Sequence, residues 1–330
     1  MLIGVPKEIK IREGRVGLTP QAVAILIEKG HKVFVEANAG VLSGFGDADY
    51  EKAGALIVPK EIAWGADIVV KVKEPLVSEY DFMQYGQIVY TFFHFPDNPE
   101  LKKVVREKGV LAMPYENIEV AVGNKILRPI LAAMSRVAAE IAVDVGAHYL
   151  RNPNGGSGIL LQDAISVVIG YRGIAGDRAF GRLHLRTHNY GGLVIGFDRD
   201  EKVVMGLDLA GWLKQADLVI CCAAKRNTAA PKIITRGMVK TMRPGSVIID
   251  IAIDEGGCCE TSIKKTTHED PIFVEEGVIH YCVANMPGAV PRSSTPALVQ
   301  ASLPFLLEIA SKGWGRVLEE NPVLKNAAQF

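Results

Sequence analysis

Short apolar runs alternate with helix-like polar segments along the first 120 residues of the chain. MLIGVP, KVFVE, ADIVVKV, QIVYTFF and VLAMP have the length of buried strands. Thr19 and Pro20 have the residue types of an N-cap and a first helical position, and Gly30 and Gly109 stand where helices would end. Strands that alternate with helices in this way predict an α/β fold with parallel sheets.

The same pattern returns in the second half of the chain. Apolar positions spaced for one helical face predict a long helix from about Met134 to Leu150. SVVIG, LVIGF, LVICCA, SVIIDIAID and GVIHYCVAN read as further strands, and a closing helix begins near Ser294 and carries Pro304. The predicted fold class is α/β with two domains, each a mostly parallel sheet flanked by helices. The second domain is predicted to be a truncated Rossmann-like dinucleotide-binding domain.

The two long helices are predicted to be the crossings between the domains. The first domain would then be discontinuous, with residues 1–128 plus 291–330, and the second would hold residues 129–290. A chain of 330 residues is long enough for two domains with substantial cores.

Charge and composition exclude several classes of function. The 37 basic and 37 acidic residues balance, so nothing favours binding to nucleic acid or to an anionic membrane. No apolar run has the length of a membrane span, and MLIGVPKEIKIREGR lacks the apolar core of a signal peptide. The expectation is a cytoplasmic protein with no nucleic-acid and no membrane partner.

The cysteines raise the question of a metal site. All five lie between Cys221 and Cys282, with His268 and His280 in the same region, and an odd number favours a reducing compartment. Between Cys221 and Cys282 neither C-x-x-C nor H-x-x-x-H spacing occurs. The spacing therefore favours buried thiols and predicts no metal, with a metal site as the alternative.

Charged and polar residues follow several of the predicted strands. Lys73 ends VVKVK, His94 ends TFFH, and Asp254 and Asn285 follow later strands. Ligands of open parallel sheets bind beyond the carboxyl ends of the strands, so these residues are candidates for a site. Arg15 could fix a substrate carboxylate, and a histidine with an aspartate could act as acid and base near neutral pH.

Each candidate also has a structural explanation. Lys71 and Lys73 could simply reach water, His94 could be a hydrogen-bonded histidine, and Asp254 could be a turn residue before two glycines.

A glycine-rich turn follows the strand SVVIG. Gly170, Gly173 and Gly176 give G-x-x-G-x-x-G rather than the G-x-G-x-x-G of dinucleotide-binding turns, and Arg172 falls near the position of close phosphate approach. Two interpretations are open. The glycines could simply form turns in a restructured loop, or the turn could still bind a nucleotide.

In the second interpretation, backbone N–H groups of Ile174, Ala175 and Gly176 would face phosphate at a helix N-terminus. Asp198, at the end of LVIGFD, would bind the adenosine ribose and favour NAD over its phosphorylated form. The basic residues that follow the turn could bind phosphate or form a solvated face; they are Arg178, Arg182, His184, Arg186 and His188.

Several long segments resemble the L-alanine dehydrogenase family. They are GVPKEIK, RVGLTP, VVKVKEP, TFFHF, IDIAIDEGGCCETS, TTHEDP and YCVANMPGAVPRSST, and they occur in the family's order over roughly residues 1–165 and 217–315. The related transhydrogenase alpha subunit shares the opening motif but not the pairing of Lys73 with His94. The resemblance therefore favours an amino-acid dehydrogenase.

The resemblance implies reversible oxidative deamination of L-alanine by NAD+ to pyruvate and ammonium. Arg15 and Lys73 would bind the substrate, and His94 and Asp254 would be catalytic. The family usually assembles as a hexamer, which implies a homo-oligomer here. Residues expected at the cofactor are Ser135, Gly173, Ala175, Gly176, Asp198, Ile251, Ala252, Ile253, Lys264, Val283, Ala284, Asn285 and Met286.

The chain departs from the family pattern around its glycine turn. The connection before the turn is short, and about 17 residues separate Asp198 from ADLVICCA, where the family has a helix, a strand and a helix. Two alternatives to the dehydrogenase follow. One is a catalytically silent relative that binds a small carboxylate or acts as an assembly partner, and the other is an oxidoreductase for another small amino or imino acid.

Overall fold

The computed structural model describes residues 1–198, 207–223 and 229–329. The chain divides into two compact units, which are Met1–Met134 with Gly288–Phe330 and Ser135–Pro287. Within the described residues, no helix is both long and apolar enough to cross a membrane.

Fourteen strands occur in the described parts of the chain. In order they are β1 Leu2–Val5, β2 Lys32–Glu36, β3 Leu56–Val58, β4 Ile68–Val70, β5 Ile88–Thr91, β6 Leu111–Pro114, β7 Val120–Val122, β8 Lys125–Leu127, β9 Ile165–Ile169, β10 Leu193–Phe197, β11 Leu218–Cys221, β12 Val247–Asp250, β13 Ile272–Glu275 and β14 Val278–Tyr281.

Eleven α-helices accompany them in the same ranges of described residues. They are α1 Pro20–Glu28, α2 Asp47–Lys52, α3 Lys60–Trp64, α4 Pro99–Glu107, α5 Pro129–Tyr149, α6 Ile174–Thr187, α7 Leu209–Leu213, α8 Arg236–Val239, α9 Pro291–Lys312, α10 Trp314–Glu320 and α11 Pro322–Ala327. The predicted cap of α1 is confirmed, because the Thr19 hydroxyl accepts from the N–H of Ala22.

The first unit is built on a six-stranded sheet in the order β3-β2-β1-β4-β5-β6, in which every pair is parallel. This is the 3-2-1-4-5-6 order of doubly wound sheets, whose direction reverses between β1 and β4. The loops that leave the carboxyl ends of these two strands diverge there. A ligand site is therefore expected beyond that edge.

The second unit has a six-stranded sheet in the order β10-β9-β11-β12-β14-β13, in which only β13 is antiparallel. Compared with the doubly wound order, the strand that would flank β10 is missing from the described residues. The prediction of two mostly parallel sheets, the second of them truncated, is confirmed.

Apolar side chains cover both faces of the second sheet. On one face Val168, Leu218 and Ile249 pack against α5 and α6, and on the other Val167, Val219 and Ile248 form a second cluster. Parallel strands buried on both faces are expected to read as continuous apolar runs, as these strands do.

Several predicted boundaries move. Helix α5 begins at Pro129 rather than Met134, and α9 begins at Pro291 rather than Ser294, each with proline among its first residues. Strand β12 ends at Asp250, and a 3₁₀ helix, Ile251–Glu255, carries the following residues out of the sheet. Strands β3, β7, β8 and β13 were not predicted, because each has only three or four residues.

Candidate functional site

Three loops of the first unit bring Arg15, Lys73 and His94 to one edge of its sheet. They follow β1, β4 and β5, and β4 is paired with both of the other strands. Because all three strands are parallel, their carboxyl ends lie on the same edge. The structure therefore places these candidates at the reversal point of the strand order, where ligands of this architecture bind.

The Arg15 guanidinium is oriented by a buried carboxylate. Its Nε donates to Glu13 Oε1 at 2.7 Å, a second guanidinium nitrogen donates to the other oxygen of Glu13, and the backbone N–H of Arg15 also reaches Oε1 at 3.0 Å. A third nitrogen contacts Met134 Sδ at 3.1 Å. Paired hydrogen bonds of this kind fix the plane of the guanidinium.

Lys71 is a structural residue rather than a surface lysine. It is fully buried, and its ammonium donates to Glu79 Oε1 at 2.9 Å and to Glu8 Oε2 at 3.3 Å. The other oxygen of Glu8 accepts from the N–H groups of Val72 and Lys73, at 2.6 and 3.3 Å. The buried triad of Lys71, Glu8 and Glu79 therefore fixes the backbone at Lys73.

The Lys73 side chain has a different environment. Burial lowers the pKa of Lys73, and the nearby positive charge of Arg15 lowers it further. Across the described residues its ammonium forms neither a hydrogen bond nor an ion pair. A carboxylate ligand would give the Lys73 ammonium the negatively charged partner that favours its protonated form. Arg15 and Lys73 together therefore suit a small anionic substrate.

His94 has a backbone conformation that few residues adopt. Its φ is +49°, in the left-handed region, and its ring stacks on Phe92 with centroids 5.7 Å apart. Glu116 Oε1 accepts from the N–H of His94 at 2.7 Å and from that of Phe93 at 3.1 Å. The Asn98 amide donates to the His94 carbonyl at 3.1 Å, so the turn is held from both sides.

Glu8, Glu13 and Glu116 were not among the candidates predicted from the sequence. The charged segments PKEIK and REGR and the run MPYE contain them, but nothing in those segments shows which backbone each carboxylate will meet. Burial raises the pKa of Glu8 and of Glu116, as expected for carboxylates that are removed from water.

In the second unit the glycine-rich segment forms a strand–turn–helix. Gly170 leaves β9 with φ +76°, Gly173 is the N-cap of α6, and the first helical bond runs from Asp177 N to Gly173 O at 2.7 Å. A Cβ at Gly176 would lie 2.1 Å from the carbonyl oxygen of Gly170. The helix can therefore approach the turn this closely only with glycine at position 176.

The extra residue of the turn is taken up by Tyr171 and Arg172. The Tyr171 ring lies over Gly196, where a Cβ would come within 2.5 Å of it, and packs against Phe180 at 5.5 Å between centroids. Arg172 donates from its backbone to Asp198 Oδ2 at 3.1 Å and from Nε to the Tyr171 hydroxyl at 3.3 Å. The added residue thus turns outward, and the helix start is preserved.

These features fit the phosphates of a dinucleotide. The first N–H groups of α6, from Ile174 to Gly176, have no acceptor within the helix, and the helix dipole favours an anion at that end. At Gly173 a Cβ would contact only the Gly170 carbonyl, at 3.2 Å, so little backbone crowds the approach. Asp198 lies at the end of β10, beside the turn.

The basic residues of α6 pair with acidic residues of α5. Arg178 and Arg182 contact Glu140, and Arg182 and Arg186 reach Asp144 at 3.5 and 2.8 Å. Of the two interpretations of this basic segment, the structure favours a solvated face, made of ion pairs spaced by one helical turn. Exposed pairs of this kind add little stability each.

Asp254 and Asn285 meet beyond the carboxyl ends of β12 and β14. Asp254 Oδ2 accepts from the N–H of Asn285 at 3.2 Å, and Asn285 has φ +56°. Lys265 Nζ lies 3.7 Å from Asp254 Oδ1, while Lys264 lies over the Phe273 ring at 5.3 Å. The expected position of Lys264 at the cofactor stays a prediction, and of the two lysines it is Lys265 that lies next to Asp254.

The remaining candidates differ in exposure. Ile251, Ala284 and Ser135 are partly exposed, whereas four others have buried side chains and could meet a ligand mainly through their backbone. These four are Ala252, Ile253, Val283 and Met286.

Comparison with known proteins identifies the family. Residues 4–138 match the alanine dehydrogenase/PNT N-terminal domain, and residues 202–330 match the C-terminal domain of the same family. The glycine turn falls between the two matched regions.

Two curated relatives match nearly the whole chain. The alanine dehydrogenase of Bacillus subtilis is 41% identical over 350 residues, which cover 98% of this chain and 90% of the relative. Alanine dehydrogenase 2 of Staphylococcus aureus (strain N315) is 42% identical and covers 98% and 91%. The alignment to the Bacillus protein is longer than the 330 residues of this chain, so it contains gaps here.

Solved structures agree with this result. An L-alanine dehydrogenase superposes with a TM-score of 0.90 at 36% identity and covers 100% of this chain and 95% of its own. A transhydrogenase from Sinorhizobium meliloti, at 24% identity and a TM-score of 0.85, covers 99% and 98% and shares the fold. The resemblance seen in the sequence is thus confirmed, and the chain belongs to the alanine dehydrogenase/PNT family.

Proposed function

We propose that the protein is an NAD-dependent dehydrogenase that converts L-alanine and water reversibly to pyruvate and ammonium. The observation that carries the proposal is the grouping of Arg15, Lys73 and His94 at one sheet edge. The chain that carries these residues is 41% identical to an alanine dehydrogenase across 98% of its length.

Arg15 and Lys73 bind the substrate in this proposal. The guanidinium, held flat by Glu13, takes the carboxylate of alanine or pyruvate, and Lys73 polarises the carbonyl oxygen of pyruvate. Holding both groups fixes the substrate Cα relative to His94. Such positioning lowers the barrier because the reacting atoms are already aligned.

His94 and Asp254 handle protons. NAD+, when bound, would supply the hydride acceptor that oxidises the Cα–N bond of the substrate to the imine. His94 then accepts a proton from the water that attacks the imine carbon and returns a proton to the amine as ammonium leaves. Asp254, whose Oδ2 accepts from the N–H of Asn285, would be the second acid–base group of the reaction.

The cofactor residues belong to the second unit. Gly173, Ala175 and Gly176 would take the pyrophosphate at the start of α6, with Ser135 nearby, and Asp198 would bind the ribose and select NAD. The segments Ile251–Ile253 and Val283–Met286, with Lys264, would border the nicotinamide. We further propose residues 1–128 plus 291–330 as the substrate domain, residues 129–290 as the NAD-binding domain, and a cytoplasmic homohexamer as the assembly.

The proposal is tested by titrating the purified protein with NADH in a calorimeter and assaying the same sample with pyruvate and ammonium. Binding together with NADH consumption supports it. A folded sample that binds no NADH would instead favour the silent relative that holds only a small carboxylate. Binding without turnover of pyruvate, but with turnover of another keto acid, would favour a different amino or imino acid substrate.

Gly176→Ala is expected to lower NADH affinity by about tenfold or more, because the added Cβ displaces the turn. A tenfold loss corresponds to about 1.4 kcal/mol of binding free energy. The new Cβ would meet the Gly170 carbonyl and the Tyr171 Cα, at 2.1 and 2.6 Å, and both are backbone atoms that must shift. The measurement is calorimetric titration with NADH.

Gly181→Ala, in the same helix, is the matched control for Gly176→Ala. A Cβ there meets nothing within 4 Å, so this variant should bind NADH normally and gain about 0.5–1 kcal/mol of helix stability. Equal NADH affinity in the two variants would contradict the assignment of the turn.

Glu116→Ala is expected to lower kcat while leaving NADH affinity unchanged. It removes the acceptor of the Phe93 and His94 N–H groups, at a stability cost of about 1–3 kcal/mol for each buried group left unpaired. Without that acceptor the left-handed turn relaxes and the imidazole moves. The measurements are the pH profile of kcat and NADH affinity by titration.

Glu116→Gln separates positioning from simple loss of stability, because its amide oxygen can still accept from His94 N. It should recover most of the activity with the wild-type pH profile. If Glu116→Ala instead kept the wild-type kcat, Glu116 would have no role in positioning His94.

A further inference from the structure

Three buried side chains that the proposed reaction does not use converge at the carboxyl ends of β11 and β12. Cys221 and Asp250 end these neighbouring parallel strands and are partners in their register. The chain then makes the 3₁₀ turn Ile251–Glu255 and reverses through two glycines with positive φ, Gly256 and Gly257. This reversal brings Cys258 back beneath Asp250.

The turn is held by hydrogen bonds to one oxygen of the Asp250 carboxylate. Oδ2 accepts from the N–H of Cys258 at 2.8 Å, from the N–H of Cys259 at 3.4 Å and from the Ser262 hydroxyl at 2.7 Å. Its other oxygen, Oδ1, is buried and accepts no hydrogen bond from any of the described residues. A buried carboxylate oxygen without a partner is unfavourable and rare, so its presence points to a ligand.

The atoms around this carboxylate are suitable metal donors. The two Sγ atoms of Cys221 and Cys258 and a carboxylate oxygen of Asp250 all lie within 4.8 Å of one another, and all three residues are buried. Thiolate sulfur with carboxylate oxygen is a donor set that zinc and cadmium accept, with three protein ligands and a fourth position open to water.

We propose that Cys221, Asp250 and Cys258 form a binding site for a soft divalent cation of the zinc class. Each thiol releases its proton to solvent as its sulfur joins the cation, so two protons leave for each cation bound. The Cys258 thiol exchanges its hydrogen bond to the Ala223 carbonyl, at 3.0 Å, for the metal–sulfur bond.

A nearby lysine, Lys232, partly balances the negative charge of the occupied site. Two thiolates and a carboxylate carry one more negative charge than a divalent cation balances. The Lys232 ammonium donates to the carbonyls of Gly256 and Cys259, at 2.6 and 2.9 Å, on the turn that carries Cys258. Its positive charge lies close enough to lower the pKa of Asp250, although burial, the larger effect, raises that pKa.

Cation binding would tie the segment 251–258 to the ends of two core strands. That segment carries Asp254, so the cation would stiffen the loop of a proposed catalytic residue without touching it. The site does not depend on the proposed dehydrogenase activity, because its geometry lies entirely within the second unit.

The test is a titration of the full-length, chelator-treated protein with Cd²⁺ and, separately, with Zn²⁺. Wild type should develop the ultraviolet absorption of cadmium–thiolate bonds, saturate at one cation per chain, release protons and melt at a higher temperature. Cys258→Ser and Asp250→Asn should weaken or remove the absorption. Circular dichroism checks that each variant is folded. If Cys258→Ser is not folded, Asp250→Asn provides the test, because asparagine has nearly the same shape as aspartate.

Cys222→Ser is the matched control. Cys222 is the next residue along the chain, but it packs against the core on the opposite face of the sheet from Cys221 and Cys258. This variant should keep the full absorption. Absence of absorption in wild type, or absorption unchanged in Cys258→Ser, would overturn the proposal.

Discussion

Lys71→Met is expected to destabilise the protein by about 3–5 kcal/mol, the usual effect of removing one partner of a buried ion pair. Burial disfavours the Lys71 ammonium, but Glu8 and Glu79 more than offset this, so the pKa of Lys71 lies above its ordinary value. Without Lys71, two buried carboxylates face each other with no cation. Urea unfolding at neutral pH measures the loss.

The deficit should shrink in acid. Burial already raises the pKa of Glu8 above its ordinary value, and Lys71 opposes that rise. Without Lys71 the folded-state pKa of Glu8 should rise further, so proton uptake by Glu8 stabilises the folded variant. Stability is then retained below the unfolded pKa and lost as the pH rises through the folded pKa. A deficit that grew as the pH fell would contradict this account.

Lys73→Met, two residues along the chain, is the matched control. Its ammonium has no partner in the described structure, so removing it should leave stability within about 0.5 kcal/mol of wild type. In the proposed mechanism it should nevertheless lose activity. The two lysines would then separate structural and substrate-binding roles within one short segment. Equal destabilisation by Lys71→Met and Lys73→Met would show that the buried triad is not the reason for the stability loss in Lys71→Met.

His94→Asn is expected to lower kcat by about 10²–10⁴, the usual contribution of a general acid–base group. Asparagine is chosen because it tolerates the left-handed conformation that this position requires, at φ +49°. The backbone bonds to Glu116 and Asn98 should therefore remain. Steady-state rates with pyruvate and ammonium measure the effect.

NADH affinity is the control for His94→Asn. The glycine turn belongs to the other compact unit, so titration with NADH should give the wild-type value. A variant that kept its kcat would remove His94 from the mechanism. A variant that lost NADH binding would show that the substitution acts through the fold.

The sequence predicted the sheets well, because parallel strands buried on both faces leave continuous apolar runs. Runs such as VVIG and LVIC could be recognised without any structure. The place of Lys73 and His94 followed from the same reasoning, since a residue after a parallel strand must lie at the carboxyl edge. The order of the strands, which puts β1 beside β4, makes that edge a candidate ligand site and is visible only in the structure.

Side-chain partners could not be predicted. Lys71 and Lys73 are both lysines in one short run, and only the fold shows that the first meets two buried glutamates. From the sequence, Arg178 and Arg186 could bind phosphate or form a solvated face, and only the structure shows the acids of α5 that pair with them. Cys221 and Asp250 are far apart in sequence, and strand register, rather than spacing, makes them neighbours.

The shortened sheet of the second unit shows which part of an α/β domain can be removed. Strand β10 is at the end of the strand order, so losing its outer neighbour breaks one set of pairings and leaves β9, β11 and β12 intact. A strand and helix lost from the middle of the order would instead have divided the core. The edge of a doubly wound sheet is therefore a position where a strand–helix pair can be lost or gained without disturbing the central strands or the start of α6.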